Sequence, residues 1–224
     1  MNKTVGTIIA IVVIIILAFL IFGNRAEAPE APVEDDTPRE VVGGSGTYDV
    51  DATASEFEWE AGKTLVVNYK DSGTIELESG EVVVEDGTVT SGTLVFDMTT
   101  ISAVETSKEQ GALDRLSAHL MSDDFFGVEM YPQATFEVTD VELVEETTYS
   151  VTGDLTIRDN TESITFPAEI YAEGDDLIID ATMTVDRTLF DVRFGSGKFF
   201  ENLGDNVIGD EFILDARVVA TPQE

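Results

Sequence analysis

Acidic side chains are the only chemically reactive groups present in quantity. The 224-residue chain holds 45 Asp+Glu against 12 Lys+Arg, with one His and no Cys, and its formal net charge is -33 at pH 7. At that density a chance pair of carboxylates falls on any face, so a pair alone does not mark an acid–base dyad. Asp123-Asp124, Glu145-Glu146 and Asp175-Asp176 read as solvated turns or helix starts, and no D-x-[DN]-x-[DN]-G calcium loop is present. His119 has no second imidazole with which to build a zinc site, and its expected role is structural. Gly195-Ser196-Gly197 lacks the G-x-S-x-G frame of a nucleophile elbow, and Phe200 stands where the last glycine of G-x-G-x-x-G would be. Without Cys there is no disulfide, thiolate site or thiol nucleophile. The charge repels nucleic acid and anionic lipid headgroups alike. No catalytic constellation, cofactor or metal is expected.

What is left is binding by apolar surface. The chain has 13 Phe, 5 Tyr and 1 Trp, and many of them recur at every second position. Alternating aromatics line a packed core or an apolar cavity, and periodicity alone leaves both readings open. The candidates on apolar strand faces are Phe57, Trp59, Phe96, Met98, Phe136, Leu155, Phe166 and Phe212. Phe190 and Phe194, in the aromatic stretch before Gly195-Ser196-Gly197, complete the set.

The elements that must position these residues are strands. Leu94/Phe96/Met98, Tyr149/Val151/Leu155/Ile157, Ile164/Phe166/Ala168/Ile170 and Phe212/Leu214/Ala216/Val218 alternate with polar neighbours, as antiparallel strands with one wet face do. Weaker alternations cover Phe57/Trp59, Leu65/Val67/Tyr69, Ile75/Leu77 and Leu177/Ile179/Ala181/Met183. Turns are expected at Asp71-Ser72-Gly73, Ser79-Gly80, Asp86-Gly87, Ser91-Gly92 and Gly174-Asp175-Asp176. Between Ser107 and Met121, Leu113, Leu116 and Leu120 recur at helical spacing, which predicts a helix covering one end of a barrel. Eight or more strands point to an all-β sandwich or closed barrel, and closure removes exposed edges.

Three segments precede or make up that body. Ile8–Phe22 is uninterrupted and uncharged, and counted from Val5 the run spans ~27 Å as a helix, close to the hydrocarbon thickness of a bilayer. Residues 1–22 are expected to anchor the chain as a transmembrane helix, with a secretory signal cleaved after Ala26-Glu27-Ala28 as the alternative. The short N-terminal tail favours a cytoplasmic N-terminus and an extracytoplasmic body. Residues 23–46 hold Pro29, Pro32, Pro38, an acidic cluster and Gly43-Gly44-Ser45-Gly46, the composition of a tether. Residues 47–222 form the β domain.

From Tyr48 to Ala220 the chain resembles the YceI-like family of bacterial lipocalin-like proteins associated with polyisoprenoid lipids. The resemblance lies in the order and spacing of Tyr48-Asp49-Val50-Asp51, GTIELESGEVVVEDGTVTSGTLVFDMTTI (Gly73–Ile101), HLMSDDFFGVEMYPQATFEV (His119–Val138), GDLTIRDNTESITFPAEI (Gly153–Ile170) and VDRTLFDVRFGSGKFFENLGD (Val185–Asp205). It implies an extended antiparallel barrel of about eight strands whose lumen takes a long apolar chain lengthwise, with polar groups near one mouth. Asp71-Ser72 stands where relatives often carry His-Asn. Asn160 and Glu162 make the turn near DNTESITF more acidic than a Gly-x-Thr-Lys turn.

The expected function is non-catalytic binding of a polyisoprenoid or isoprenoid quinone in the lumen, at the outer face of the membrane. A filled barrel serving as an envelope interaction module and, less favoured, a lipid-modifying enzyme are the alternatives. An enzyme needs a carboxylate or His119 inside the lumen, and alternation places Asp97 and Asp154 outward, leaving Asp140 the other strand acid.

Overall fold

The computed structural model describes residues 43–107 and 111–223, so the apolar run Ile8–Phe22, with the membrane anchor read there, and the tether up to residue 42 lie outside the described residues. The strands are β1 (Gly46–Val50), β2 (Glu56–Gly62), β3 (Lys70–Glu85), β4 (Thr88–Thr106), β5 (Gln133–Glu145), β6 (Thr148–Ile157), β7 (Asn160–Glu173), β8 (Asp176–Asp186) and β9 (Glu211–Pro222), with one helix, α1 (Leu113–Met121), between β4 and β5. They run β1-β3-β2-β9-β8-β7-β6-β5-β4, and a β3–β4 pairing closes the ring. All pairings are antiparallel.

Nine strands fill eight positions. β1 and β2 share the place between β3 and β9: Tyr48 faces Val82 and Pro222, and Glu58 faces Thr74 and Asp215. The break follows from Asp51, whose Oδ1 accepts hydrogen bonds from the Thr53 N–H at 2.8 Å, the Thr53 hydroxyl at 2.7 Å and the Ala54 N–H at 3.1 Å. Such a local carboxylate–backbone turn competes with the ladder and interrupts the strand.

Three expected turns are not turns. Asp71-Ser72-Gly73 and Ser79-Gly80 lie inside β3, and Ser91-Gly92 lies inside β4, so these are strands of 16 and 19 residues. Their pairing shifts register between Ser72/Gly73, Thr74/Glu76, Leu77/Ser79 and Val83/Val84. Glycine and serine here mark bulges that bend long strands around the barrel. At Gly73 a Cβ would collide with the Ser102 carbonyl oxygen and meet the Trp59 ring at 2.6 Å, so a bare backbone is required for close approach. Asp86-Gly87 is a turn: φ is 50° and 79° at the two residues, the paired positive values of a two-residue type I′ hairpin.

Two further expectations change. Leu65 and Val67 leave the sheet for an exposed loop, Val67 being 87% exposed, so their alternation marks no buried strand face. The helix begins at Leu113 rather than Ser107. It packs beside β4, where the Ser117 hydroxyl accepts from the Ala103 N–H at 2.9 Å. β4 pairs with β5 only over Gly92–Asp97, so on that side α1 stands beside the part of β4 that β5 does not reach.

The barrel has two unlike ends. At one, the chain turns tightly between β3 and β4, β5 and β6, and β7 and β8. At the other lie α1, the loop of residues 63–69, the segment 122–132 and the loop of residues 187–210. The core is a single cluster on the inner faces of the strands, joined by Leu120, Phe125, Phe190 and Val192 from the loop end.

Candidate functional site

Inner faces of the strands enclose an elongated apolar cavity. It offers 170 Å³ for the centres of water-sized molecules, more than ten times the ~10–15 Å³ that one water requires. β9 contributes Phe212, Leu214, Ala216 and Val218, every second residue over six steps, or ~20 Å of wall at the rise of an antiparallel strand. Glu81, Thr93 and Arg187 border the space, but the surface turned toward it is apolar. A void with such a wall stays dry and takes apolar guests.

Of the ten residues singled out from the sequence, Phe57, Trp59, Phe96, Met98, Phe136, Leu155, Phe166 and Phe212 line this cavity. Their rings are set by edge contacts: Phe57 meets Phe96 edge-on with centroids 4.9 Å apart, and Phe136 tilts against Phe166 at 5.5 Å. The Trp59 ring lies over Gly73, and its buried indole N–H has no hydrogen-bond partner among the described residues. Phe190 and Phe194 stand outside the wall. Phe190 is fully buried in the core beneath the loop end, on a 3-10 turn, Arg187–Phe190. Phe194 is 38% exposed and packs on His119 and Phe125, with centroids at 4.7 and 5.3 Å. Strand alternation could not place these two, because both sit in a loop.

The wall also includes residues that were not singled out. Ile75, Ile170, Ile179, Met183 and Leu214 share inner faces with the chosen aromatics, and the same period-two pattern marks them. Leu120, on the apolar face of α1, reaches the cavity as well, as do Phe125, Phe126 and Ile208 from the loops, where no periodicity signals them.

Arg187 closes the loop end and is 5% exposed. Its Nε donates to the Gly209 carbonyl at 2.8 Å, Nη1 to Val192 at 2.8 Å and Nη2 to Ile208 at 3.4 Å. Nη2 also lies 3.9 Å from the Asp210 carboxylate, and the guanidinium sits over the Phe125 ring at 6.0 Å. Burial lowers its pKa, opposed by the charges of Asp210 and Asp186; the carbonyl cage spends the cation on holding the loop. Beside it Lys198 pairs with Asp186 at 2.7 Å and Asp210 at 3.5 Å. Burial would raise the Asp186 carboxyl, but hydrogen bonds from Lys198 and Thr188 outweigh it and hold the group below the usual carboxylate range.

Of the strand acids, Asp97, Asp140 and Asp154 stay out of the lumen, and Glu81 borders it. Asp97 accepts from the Thr99 N–H at 2.9 Å and its hydroxyl at 2.6 Å. His119 Nε2 lies 3.1 Å from Asp124 Oδ2, its ring edge-on to Phe125 and Phe194.

Comparison with known proteins agrees with this geometry. Among curated proteins none matches the chain. The solved structure of Burkholderia cenocepacia BcnA is similar at a TM-score of 0.61 and 21% identity, covering 77% of this chain and 99% of that one. A polyisoprenoid binding domain from Saccharophagus degradans is similar at 0.56 and 17% identity, covering 79% and 98%. At such identities these likenesses establish the fold, an all-β closed barrel. The YceI-like domain matches residues 48–220, most of the chain, and the protein therefore belongs to the YceI-like family.

Proposed function

We propose that the barrel binds a long apolar lipid of the isoprenoid type lengthwise in its lumen and performs no chemistry on it. The observation that carries this reading is the elongated apolar void, whose walls come from every side of the barrel. A packed interior of native density leaves few voids larger than one water, so the filled-barrel alternative loses ground. Each methylene transferred from water into such a space contributes ~0.8 kcal/mol, partly offset by ordering the chain. The Saccharophagus degradans domain of the same fold is a polyisoprenoid binding domain, which supports the same ligand class here. An enzyme reading would need a proton donor or acceptor facing the lumen, and the surface there is apolar.

Membrane attachment is part of the proposal: residues 5–22 anchor the chain, and the tether holds the barrel on the extracytoplasmic side. The full chain should then resist carbonate extraction with its N-terminus intact, whereas a mature species beginning at Pro29 would mean a cleaved signal. For the ligand, the test is mass spectrometry of organic extracts from the purified barrel, followed by uptake of added isoprenoids. Recovery of an isoprenoid lipid is the expected result. Repeated extraction of nothing, together with no uptake, would overturn the reading.

A further inference from the structure

The loops that cap the lumen carry a second, outward-facing set of apolar side chains. Ile208 lines the cavity while Phe199 and Phe200, in the same loop, are 46% and 49% exposed. Phe125 and Phe126 line it while Met130, four residues on, is exposed. Leu189 of that loop and Leu65 and Val67 of the adjoining loop are exposed as well. The two loops are joined: the Gly209 N–H donates to the Gly62 carbonyl at 2.8 Å, and Lys63 Nζ donates to the Asp205 carbonyl at 3.0 Å.

The cations follow the same division, interspersed with acids such as Asp123, Asp124, Asp191, Glu201 and Asp205. Of the eight Lys and Arg among the described residues, Lys63, Lys70, Arg115, Arg158, Arg187, Arg193 and Lys198 lie at or near this end, and Arg217 alone stands elsewhere. Arg193 sits over the Phe199 ring at 4.8 Å, a cation held against the exposed aromatic. The opposite end exposes Leu143 and Val144, but they lie among Glu142, Glu145 and Glu146, and no turn there carries a cation.

We propose that the α1 end of the barrel is a docking face for a lipid bilayer. Its exposed loop aromatics and aliphatics enter the headgroup layer. Aromatic side chains with adjacent Lys and Arg suit the interface of a bilayer, where one part of the side chain is dry and the other wet. The chain as a whole is strongly acidic, so docking is driven by apolar insertion into zwitterionic lipid and weakened by anionic lipid. The inference rests on the lumen binding lipid, since a bilayer is the source of such a cargo and these loops border the lumen. The tether enters at the opposite end, and its residues 23–46 reach up to ~80 Å when extended, enough to let the far end turn to the membrane.

The test uses residues 39–224, a compact unit whose hydrogen-bonded ring and core are self-contained. Flotation with phosphatidylcholine vesicles is compared for the wild type, for F199S/F200S and for L143S/V144S, with near-UV circular dichroism to confirm the fold of each. The wild type and L143S/V144S should float alike, F199S/F200S should bind about tenfold more weakly, and adding phosphatidylglycerol at low salt should reduce binding of all three. Isoprenoid retained by each protein is measured in parallel. F199S/F200S is expected to keep its lipid, so a docking failure is distinct from a failure of the lumen to bind. A wild type that does not float, equal loss in both variants, or stronger binding to anionic vesicles would overturn the proposal. So would concentration-dependent dimerisation, abolished by F199S/F200S, in place of flotation.

Discussion

The two ends of the barrel are made differently although one ring of strands joins them. At the turn end, tight hairpins such as Asp86-Gly87 return the chain, and Val84, Leu177 and Ala220 are almost wholly buried there without lining the cavity. At the loop end, α1 and three irregular segments do the closing, held by a buried cation instead of a ladder. Strands close a barrel through backbone hydrogen bonds that any sequence supplies, whereas loops must hold their shape through particular side chains. The loop end should therefore be the more sensitive to single substitutions, and the one that opens at lower free energy.

The largest effect should come from Arg187→Met. Removing the guanidinium strips donors from the Val192, Ile208 and Gly209 carbonyls and leaves Asp210 with Lys198 alone, a loss of about 3–5 kcal/mol readable by urea denaturation. If Arg187→Met unfolds with the wild-type midpoint, the carbonyl cage is not what closes this end.

Next is a pair that separates packing from lining. Phe190→Ala empties a fully buried site and should cost about 3–5 kcal/mol while leaving lipid bound per folded molecule unchanged. Phe166→Ala enlarges a space that already exists, so it should cost less stability and more lipid retention. Equal destabilisation by both, with retention untouched, would mean that Phe166 is packing alone.

At the turn end, Gly87→Ala should cost only about 1 kcal/mol, the strain of placing a Cβ at positive φ, and should leave lipid binding as it was. A loss comparable to that of Arg187→Met would erase the contrast between the ends.

The smallest effect is a pH dependence at the loop end. The folded pKa of Asp186 is depressed, so its contribution is complete above the unfolded value of ~3.9. It is lost as pH falls through the lower folded value. Between pH 5 and pH 2.5 the Asp186→Asn variant should lose less stability than the wild type. Identical pH profiles would show that the Lys198–Asp186 pair contributes nothing.

Alternation along β6, β7 and β9 is a local property, and through it Leu155, Phe166 and Phe212 could be assigned to an inner face from sequence. Glycine was ambiguous for a physical reason: a positive φ in a hairpin and a bulge beneath a neighbouring ring both call for a missing Cβ, so Gly87 and Gly73 look alike until the pairing register is seen. Phe190 and Phe194 were drawn to the lumen by composition, but their loop is folded around Arg187 and packed on His119 and Phe125, contacts that no spacing in the sequence signals. Sequence by itself therefore determined the strand part of the wall, because side-chain direction in a strand is set every two residues by the backbone. The hollow and the chemistry of the two ends were decided by the tertiary structure, because both depend on contacts between segments far apart in the chain.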